Sequence, residues 1–290
     1  MTLKNNLPIG IFDSGVGGLT VYRSLHKRLP DERFLYLGDT ARVPYGTKSL
    51  STVERYGIEN ARFLAAHGIK MLVVACNTAS ALALPAIERA AGVPTVGVIE
   101  SGARAAVEQA KTKIGVIATE ATVRSGAYRR AIERRAPHVN IIEQACPLFV
   151  SLAEEGYAET EAARIIANDY LKELRAALVD ALVIGCTHYP VLRKVIEETI
   201  GEGVMLIDSG EAVAEDTAAA LETHGLGRAP DRENLARPRR LCDDLDHFYV
   251  TDSAERFSRI AEMFLGSAPR RLEAVEVWGH DQLNAGRKEN

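Results

Sequence analysis

Short apolar runs recur along the chain, and each is followed by small polar residues and then by a segment with helical spacing of its apolar positions. The clearest run, residues 72–75, leads into Cys76, and a similar run, residues 182–185, leads into Cys186. Runs of this length that are rich in Val and Ile predict buried parallel strands. Their alternation with helical segments predicts an α/β fold with central, mostly parallel sheets.

The same patterns predict the other elements of the chain. Further strands are predicted at residues 9–12, 33–37, 95–99, 113–118, 140–144, 204–207 and 247–250. Helices are predicted from Leu19 and over residues 49–66, with Ser49 or Ser51 as the N-cap, and over 159–177, 211–223 and 253–264. Residues 224–240 are polar and contain two prolines, which predicts an exposed connector.

The chain contains an internal resemblance. Residues 114–119 resemble residues 9–14, and the two runs that precede Cys76 and Cys186 resemble each other in the same order. Two matched pairs indicate a duplication that yields two α/β units related by approximate two-fold symmetry. Because ligands bind at the carboxyl ends of strands in open α/β sheets, the repeat predicts one pocket with a thiol from each unit.

Length, composition and charge narrow the class of protein. The chain has 290 residues, of which 47% are hydrophobic and 26% charged, so it is long enough for two domains of ordinary size. Its net charge of -4 offers no basic footprint for nucleic acid. No apolar run approaches the roughly 20 residues of a membrane helix, and residues 1–8 lack the apolar region of a signal peptide. We therefore expect a cytoplasmic protein with no membrane or nucleic-acid partner.

The four cysteines are Cys76, Cys146, Cys186 and Cys242, and no CxxC pair occurs. This number and spacing do not suit a disulfide scaffold, and we interpret Cys146, which precedes a proline, as structural. Cys186 and His188 lack the paired spacing of a zinc site, so no metal is expected. The glycine turn at residues 13–18 could hold an anion, but it lacks the third glycine of the dinucleotide fingerprint.

Two thiols that face one carbon from opposite sides suggest proton transfer. One thiolate removes a proton, the other thiol delivers one to the far side, and the carbon is inverted. Asn77, Thr78 and Thr187 are suitable donors to a substrate carboxylate and to the negative charge that develops. A hydrolase built on Cys186 and His188 stays open, although it gives Cys76 no role. A non-catalytic amino-acid-binding module stays open as well.

Several stretches resemble the signature motifs of glutamate racemases, namely residues 10–19, 44–46, 75–80 and 185–190, and the likeness extends over nearly the whole chain. The resemblance implies a cofactor-independent 1,1-proton transfer that interconverts L- and D-glutamate and supplies D-glutamate for peptidoglycan. By position, Cys76 matches the thiol that acts on the D-enantiomer and Cys186 the thiol that acts on the L-enantiomer. Aspartate racemase is the nearest alternative.

The resemblance also implies roles for the surrounding residues. Asp13, His188 and Glu154 match residues that tune the cysteines, with the neighbouring Glu155 as the alternative to Glu154. The implied substrate contacts are Asp13, Ser14, Pro44, Tyr45, Gly46, Asn77, Thr78, Thr187 and His188. The implied fold has two pseudo-symmetric α/β domains, residues 1–97 plus 208–290 and residues 98–207, with the active site in the interdomain cleft. A homodimer that acts on glutamate without cofactor or metal is expected.

Overall fold

The computed structural model describes residues 3–110, 112–229 and 239–278 of the chain. The strands in these residues are β1 (Ile9–Asp13), β2 (Phe34–Gly38), β3 (Met71–Val74), β4 (Thr95–Gly97), β5 (Lys113–Ala118), β6 (Asn140–Ala145), β7 (Ala181–Gly185), β8 (Met205–Asp208), β9 (His247–Val250) and β10 (Leu272–Ala274). The α-helices are α1 (Leu19–Arg28), α2 (Leu50–Ala66), α3 (Asn77–Ala91), α4 (Val98–Gln109), α5 (Glu120–Ser125), α6 (Ala127–Arg135), α7 (Leu148–Glu154), α8 (Glu161–Ala176), α9 (Arg193–Ile200), α10 (Ser209–Thr223) and α11 (Ala254–Leu265).

The strands form two sheets in which every pair is parallel. The first sheet has the order β10-β9-β2-β1-β3-β4, and the second has the order β6-β5-β7-β8. Four strands therefore occur in the same order in both sheets, as an internal duplication requires, and β9 and β10 extend the first sheet. The predicted α/β fold class is confirmed.

Two lobes can be defined from the connections. The first lobe is the first sheet with α1, α2, α3 and α11, and the second lobe is the second sheet with α5 to α9. Helices α4 and α10 link the lobes and pack against each other, and α10 also packs on α1. Strands β1 and β7 are buried at every residue, which explains why they read as continuous apolar runs.

Local capping explains where several helices begin. Ser49, one of the two predicted caps, accepts a hydrogen bond from the Thr52 amide and starts α2. The strand predicted at 95–99 was too long, because it ends at Gly97 and the next residues already belong to α4. The helix predicted from residue 211 begins earlier, at Ser209, because the Asp208 carboxylate accepts from the Gly210 amide at 2.8 Å.

Three further predictions concern packing and surface. Cys146 is fully buried, and its carbonyl accepts a hydrogen bond from the Tyr189 hydroxyl at 2.8 Å, in agreement with a structural role. Within the predicted connector at 224–240, residues 230–238 lie outside the described part of the chain. Among the described residues, no helix combines the length and apolar composition that crossing a bilayer requires.

Candidate active site

A small cavity lies between the two lobes, at the carboxyl ends of β1, β2 and β3 on one side and of β5 and β7 on the other. Its volume is about 50 Å³, which is small beside the roughly 300–1,000 Å³ of typical ligand pockets and suits a small substrate better than a nucleotide. The residues that line it are Ser14, Val43, Pro44, Tyr45, Gly46, Cys76, Asn77, Thr78, Thr119, Val150, Glu154, Cys186, Thr187 and His188.

Nearly every site residue implied by the sequence therefore lines this cavity. Asp13 is the exception, because it lies behind Ser14 and is fully buried. Cys146 and Cys242 are buried elsewhere and do not line the cavity. The repeat hypothesis thus selected the two cysteines that the fold brings to one place, one from each lobe.

Cys76 sits where β3 turns into α3, at the N-cap position of the helix. Its sulfur lies 3.4 Å from the Ser14 hydroxyl oxygen, and only 5% of the residue is exposed. Burial raises the pKa of the Cys76 thiol to about 12, the negative charge of Asp13 adds to the shift, and the hydrogen bonds that Cys76 makes with Ser14 and with the Ala79 amide oppose it. Cys76 is therefore a protonated thiol at neutral pH.

Cys186 follows β7 and, unlike Cys76, lies next to a histidine that is paired with a carboxylate. The Cys186 sulfur lies 3.8 Å from His188 Nδ1, and His188 Nε2 lies 2.9 Å from Glu154 Oε1. Burial disfavours the charged imidazole, but the hydrogen bonds to Cys186 and Glu154 outweigh it and raise the pKa of His188 to about 10. Burial likewise opposes ionisation of Glu154, yet His188 and Arg256 together lower the pKa of that carboxyl. The second thiol therefore has a protonated imidazole within reach.

Two buried oxygen atoms next to the cavity have no hydrogen-bond partner among the described residues, Asp13 Oδ1 and Asn77 Oδ1. Asp13 Oδ2 accepts from the Gly15 amide at 2.9 Å, and Asn77 Nδ2 donates to the Tyr128 hydroxyl at 2.8 Å. Burial raises the pKa of Asp13, although the charge of His188 and three backbone amides oppose the shift. A buried acceptor without a partner is costly, so these atoms suit a ligand that brings hydrogen-bond donors.

The glycine turn after β1 contacts the opposite lobe. A Cβ atom on Gly17 would lie 2.3 Å from Thr187 Oγ1 and 2.5 Å from His188 Nδ1, so the backbone has to be bare at this position. The Thr20 hydroxyl donates to the Thr187 carbonyl at 2.8 Å, which ties the same two segments together. The turn that the sequence suggested as an anion site is thus also the surface on which the Cys186 segment rests.

The loop after β2 carries Tyr45 into the cavity wall. Tyr45 is almost fully buried, and its hydroxyl donates to the buried Asp39 carboxylate. Asp39 also accepts from Arg42 Nε at 2.7 Å, Asn60 Nδ2 at 3.2 Å and Thr251 Oγ1 at 2.9 Å. Donors from three parts of the first lobe therefore hold this loop in place.

Two residues at the site, Thr119 and Arg256, were not predicted from the sequence. Thr119 lines the cavity, and its hydroxyl lies 3.0 Å from that of Thr78. The internal repeat contained the signal for Thr119, since it follows β5 as Ser14 follows β1. Arg256, on α11, contacts Glu154 at 3.0 Å. No sequence pattern pointed to that contact, because the two residues are 102 positions apart.

The chain is similar in sequence to amino-acid racemases. The family model described as Asp/Glu/Hydantoin racemase matches residues 9–217. A glutamate racemase from Geobacter metallireducens is 51% identical over 259 residues, which cover 89% of this chain and 92% of the relative. A glutamate racemase from Syntrophus aciditrophicus is 45% identical over 271 residues, which cover 93% of this chain and 97% of that protein.

Solved structures agree with the sequence relatives. The crystal structure of a glutamate racemase from Francisella tularensis in complex with D-glutamate superposes with a TM-score of 0.85 at 35% identity, covering 94% of this chain and 98% of that one. A glutamate racemase from Thermus thermophilus in complex with β-chloro-D-alanine has a TM-score of 0.81 at 43% identity, with the same coverage of both chains.

Proposed function

The chain belongs to the glutamate racemases of the Asp/Glu/hydantoin racemase family and is an isomerase, and on that premise we propose that it interconverts L- and D-glutamate by moving the α-proton between Cys76 and Cys186. One observation carries this proposal. Equivalent strands of the two lobes deliver one buried thiol each to a single small cavity. A binding site needs no such pair, whereas inversion at a carbon needs a base on one face and an acid on the other.

The proton balance of the proposed reaction is simple. With L-glutamate bound, the Cys186 thiolate takes the α-proton as the C–H bond breaks, and its electron pair stays on the substrate as a carbanion. The Cys76 thiol then gives up its proton, and a new C–H bond forms on the opposite face. The product is D-glutamate, and the enzyme is left with the protonation states of its two thiols exchanged. From D-glutamate the same steps run in reverse, with Cys76 as the base.

On the Cys186 side, His188 and Glu154 form a hydrogen-bonded pair next to the sulfur. A protonated His188 donates a hydrogen bond from Nδ1 toward the Cys186 sulfur. Its Nε2–H donates a second hydrogen bond to the Glu154 carboxylate. This arrangement places a positive charge beside the sulfur that has to carry negative charge in the proposed reaction. It also gives a reason for the position of His188 between the Cys186 thiol and the Glu154 carboxylate.

On the Cys76 side, we assign to the ammonium group of the substrate the positive charge that His188 provides beside Cys186. Burial and the charge of Asp13 keep Cys76 protonated, which is the form needed to deliver a proton. The ammonium group of an amino acid bound against Ser14 and Asn77 lies near Asp13, whose buried Oδ1 has no hydrogen-bond partner among the described residues. A positive charge there offsets the charge of Asp13 and favours the Cys76 thiolate when D-glutamate is bound.

The carbanion requires more than two well-placed thiols. General acid–base catalysis contributes about 10²–10⁴-fold, and the remaining acceleration has to come from fixed donors around the substrate carboxylates. Thr78, Thr119 and Thr187 line the cavity, and we assign their hydroxyls to this task together with the amides at the start of α3. A closed cavity excludes water and strengthens each of these hydrogen bonds.

The finer expectations complete the proposal. We assign D-glutamate supply for peptidoglycan, a cytoplasmic location and a homodimer on the strength of the family resemblance. The proposed reaction needs no cofactor. We keep the division into residues 1–97 plus 208–290 and residues 98–207, which is supported by the first sheet taking its strands from residues 9–97 and 247–274 and the second from 113–208.

Circular dichroism of the amino acid tests the proposed substrate directly. Purified protein without added cofactor is mixed with L-glutamate, with D-glutamate or with L-aspartate, and the signal is followed to equilibrium. We expect both glutamate enantiomers to decay to zero ellipticity at equal kcat/KM, and aspartate to react far more slowly. A stable glutamate signal would overturn the proposed function, and decay of aspartate alone would assign the cavity to the shorter substrate.

A further inference from the structure

Helix α11 of the first lobe forms the outer wall of the His188–Glu154 pair. The Phe264 ring meets the His188 ring edge-on, with centroids 6.4 Å apart. The Met263 sulfur packs against Gly156, where an added Cβ atom would lie 3.3 Å from it. Arg256 Nη2 lies 3.0 Å from Glu154 Oε2. One helix of the first lobe therefore contacts the His188–Glu154 pair at two points and the turn that follows α7 at a third.

We propose that Arg256 is a positioning residue that couples the first lobe to the reactivity of Cys186 through Glu154 and His188. The inference rests on the proposed function and extends it to a residue outside the cavity. Arg256 does not line the cavity, so its influence on the reaction passes through Glu154. This contact fixes the Glu154 carboxylate where the His188 imidazole has to hold its proton.

The hydrogen bonds of Glu154 show why the contact matters. One carboxylate oxygen accepts from His188 and the other from Arg256, so the group is held at both ends. Without Arg256 the carboxylate is free to rotate away from the imidazole. A hydrogen bond to a carboxylate that is fixed in this way orients a histidine better than one to a mobile carboxylate.

The expected effect is moderate because the arginine is partly in solvent. The Arg256 side chain is 46% exposed, whereas that of Glu154 is 18% exposed, and solvent screens ion pairs of this kind. We expect Arg256→Gln to lower kcat/KM by about 3- to 10-fold. A single nitrogen, Nη2, makes the contacts to both Glu154 and Glu155. A point charge can replace it, so Arg256→Lys should keep most of the activity.

The matched control is Arg259, three positions further along α11. It is exposed and makes no ion pair with any residue that the structure describes. We expect Arg259→Gln to change kcat/KM by less than about twofold. Comparable losses in the Arg256→Gln and Arg259→Gln variants would show that only the charge of the helix matters, and they would overturn the inference.

Isotope effects separate positioning from a general loss of structure. Because the enantiomers have equal free energy, kcat/KM falls equally for both of them whatever is damaged. In Arg256→Gln, however, only the step at Cys186 is impaired. The primary deuterium isotope effect should therefore rise for α-deuterated L-glutamate, where Cys186 breaks the C–D bond, and fall for the D-enantiomer. Unchanged isotope effects alongside a loss of activity would contradict the proposed role.

A double-variant cycle tests the route through Glu154. If Arg256 acts through this carboxylate, Glu154→Gln combined with Arg256→Gln is hardly slower than Glu154→Gln alone. Additive losses would overturn the route, and so would a loss in Glu155→Gln as large as in Arg256→Gln. A wild-type protein that does not racemise glutamate refutes the proposed function itself, whereas an active wild type with a fully active Arg256→Gln refutes this inference only.

Discussion

Gly17→Ala adds one methyl group at the contact between the glycine turn and the Cys186 segment. The backbone of Gly17 does not lie in the left-handed region, so alanine fits its conformation and only the contact is perturbed. The new Cβ atom would lie 2.3 Å from Thr187 Oγ1 and 2.5 Å from both Cε1 and Nδ1 of His188. The hydroxyl can rotate away, but the imidazole is fixed between Cys186 and Glu154.

The magnitude follows from the displacement that the methyl group requires. An ordinary contact needs at least about 3.4 Å, so the His188 ring or the turn has to move by roughly 1 Å. A misplacement of about 1 Å at a catalytic group costs on the order of 10²-fold in rate. Overpacking of this kind lowers the free energy of unfolding by about 1–3 kcal/mol, which corresponds to a fall in Tm of about 2–12 °C.

Racemisation followed by circular dichroism and thermal unfolding measure the two effects on the same sample. Gly227→Ala is the matched control, because no atom lies within 4 Å of the Cβ position there and the backbone is not left-handed. We expect the control to keep wild-type activity and Tm. A Gly17→Ala protein with undiminished kcat/KM would refute the argument that the turn sets the position of His188.

Two more predictions use buried charges. His188 has a pKa of about 10 in the folded protein against 6.5 in the unfolded chain. Its stabilising effect is therefore complete below pH 6.5 and is lost as the pH rises toward 10. The Tm of wild type should fall across this window more steeply than that of His188→Asn, and parallel profiles of Tm against pH would contradict the raised pKa. Lys70 Nζ lies 2.5 Å from Glu32 Oε2, and both side chains are almost fully buried. Lys70→Met should therefore lower the free energy of unfolding by about 3–5 kcal/mol in chemical denaturation, without changing kcat/KM at 25 °C, and a loss below 1 kcal/mol would sink this estimate.

The elements that could be predicted from the sequence are those dictated by local pattern. Apolar runs in strands that are buried on both faces are unambiguous, and the order of the repeat was enough to pair Cys76 with Cys186. Capping is also local, so Ser49 was identified as a candidate. The start of α10 was misplaced because the sequence pattern did not reveal that Asp208, at the end of a strand, also caps a helix.

Contacts between distant segments could not be predicted in the same way. Tyr45 is buried against Asp39, whose carboxylate also accepts a hydrogen bond from Thr251 near the far end of the chain. The need for glycine at residue 17 depends on how closely His188 approaches from the other lobe. Arg256 reaches Glu154 only because α11 packs across the junction. Each of these contacts is a property of the assembled fold, and none leaves a periodic trace in the sequence.

Proton exchange at the α-carbon tests the two-thiol mechanism most directly. Wild type, Cys76→Ser, Cys186→Ser and the control Cys146→Ser, whose thiol is buried outside the cavity, are incubated with each glutamate enantiomer in deuterated buffer. Proton NMR follows the α-proton, and circular dichroism follows inversion.

We expect wild type and Cys146→Ser to racemise both enantiomers with full deuterium incorporation. Neither single-thiol variant should racemise, and residual exchange without inversion should be confined to L-glutamate in Cys76→Ser and to D-glutamate in Cys186→Ser. Racemisation that persists in either variant at a rate near that of Cys146→Ser would contradict the two-thiol mechanism.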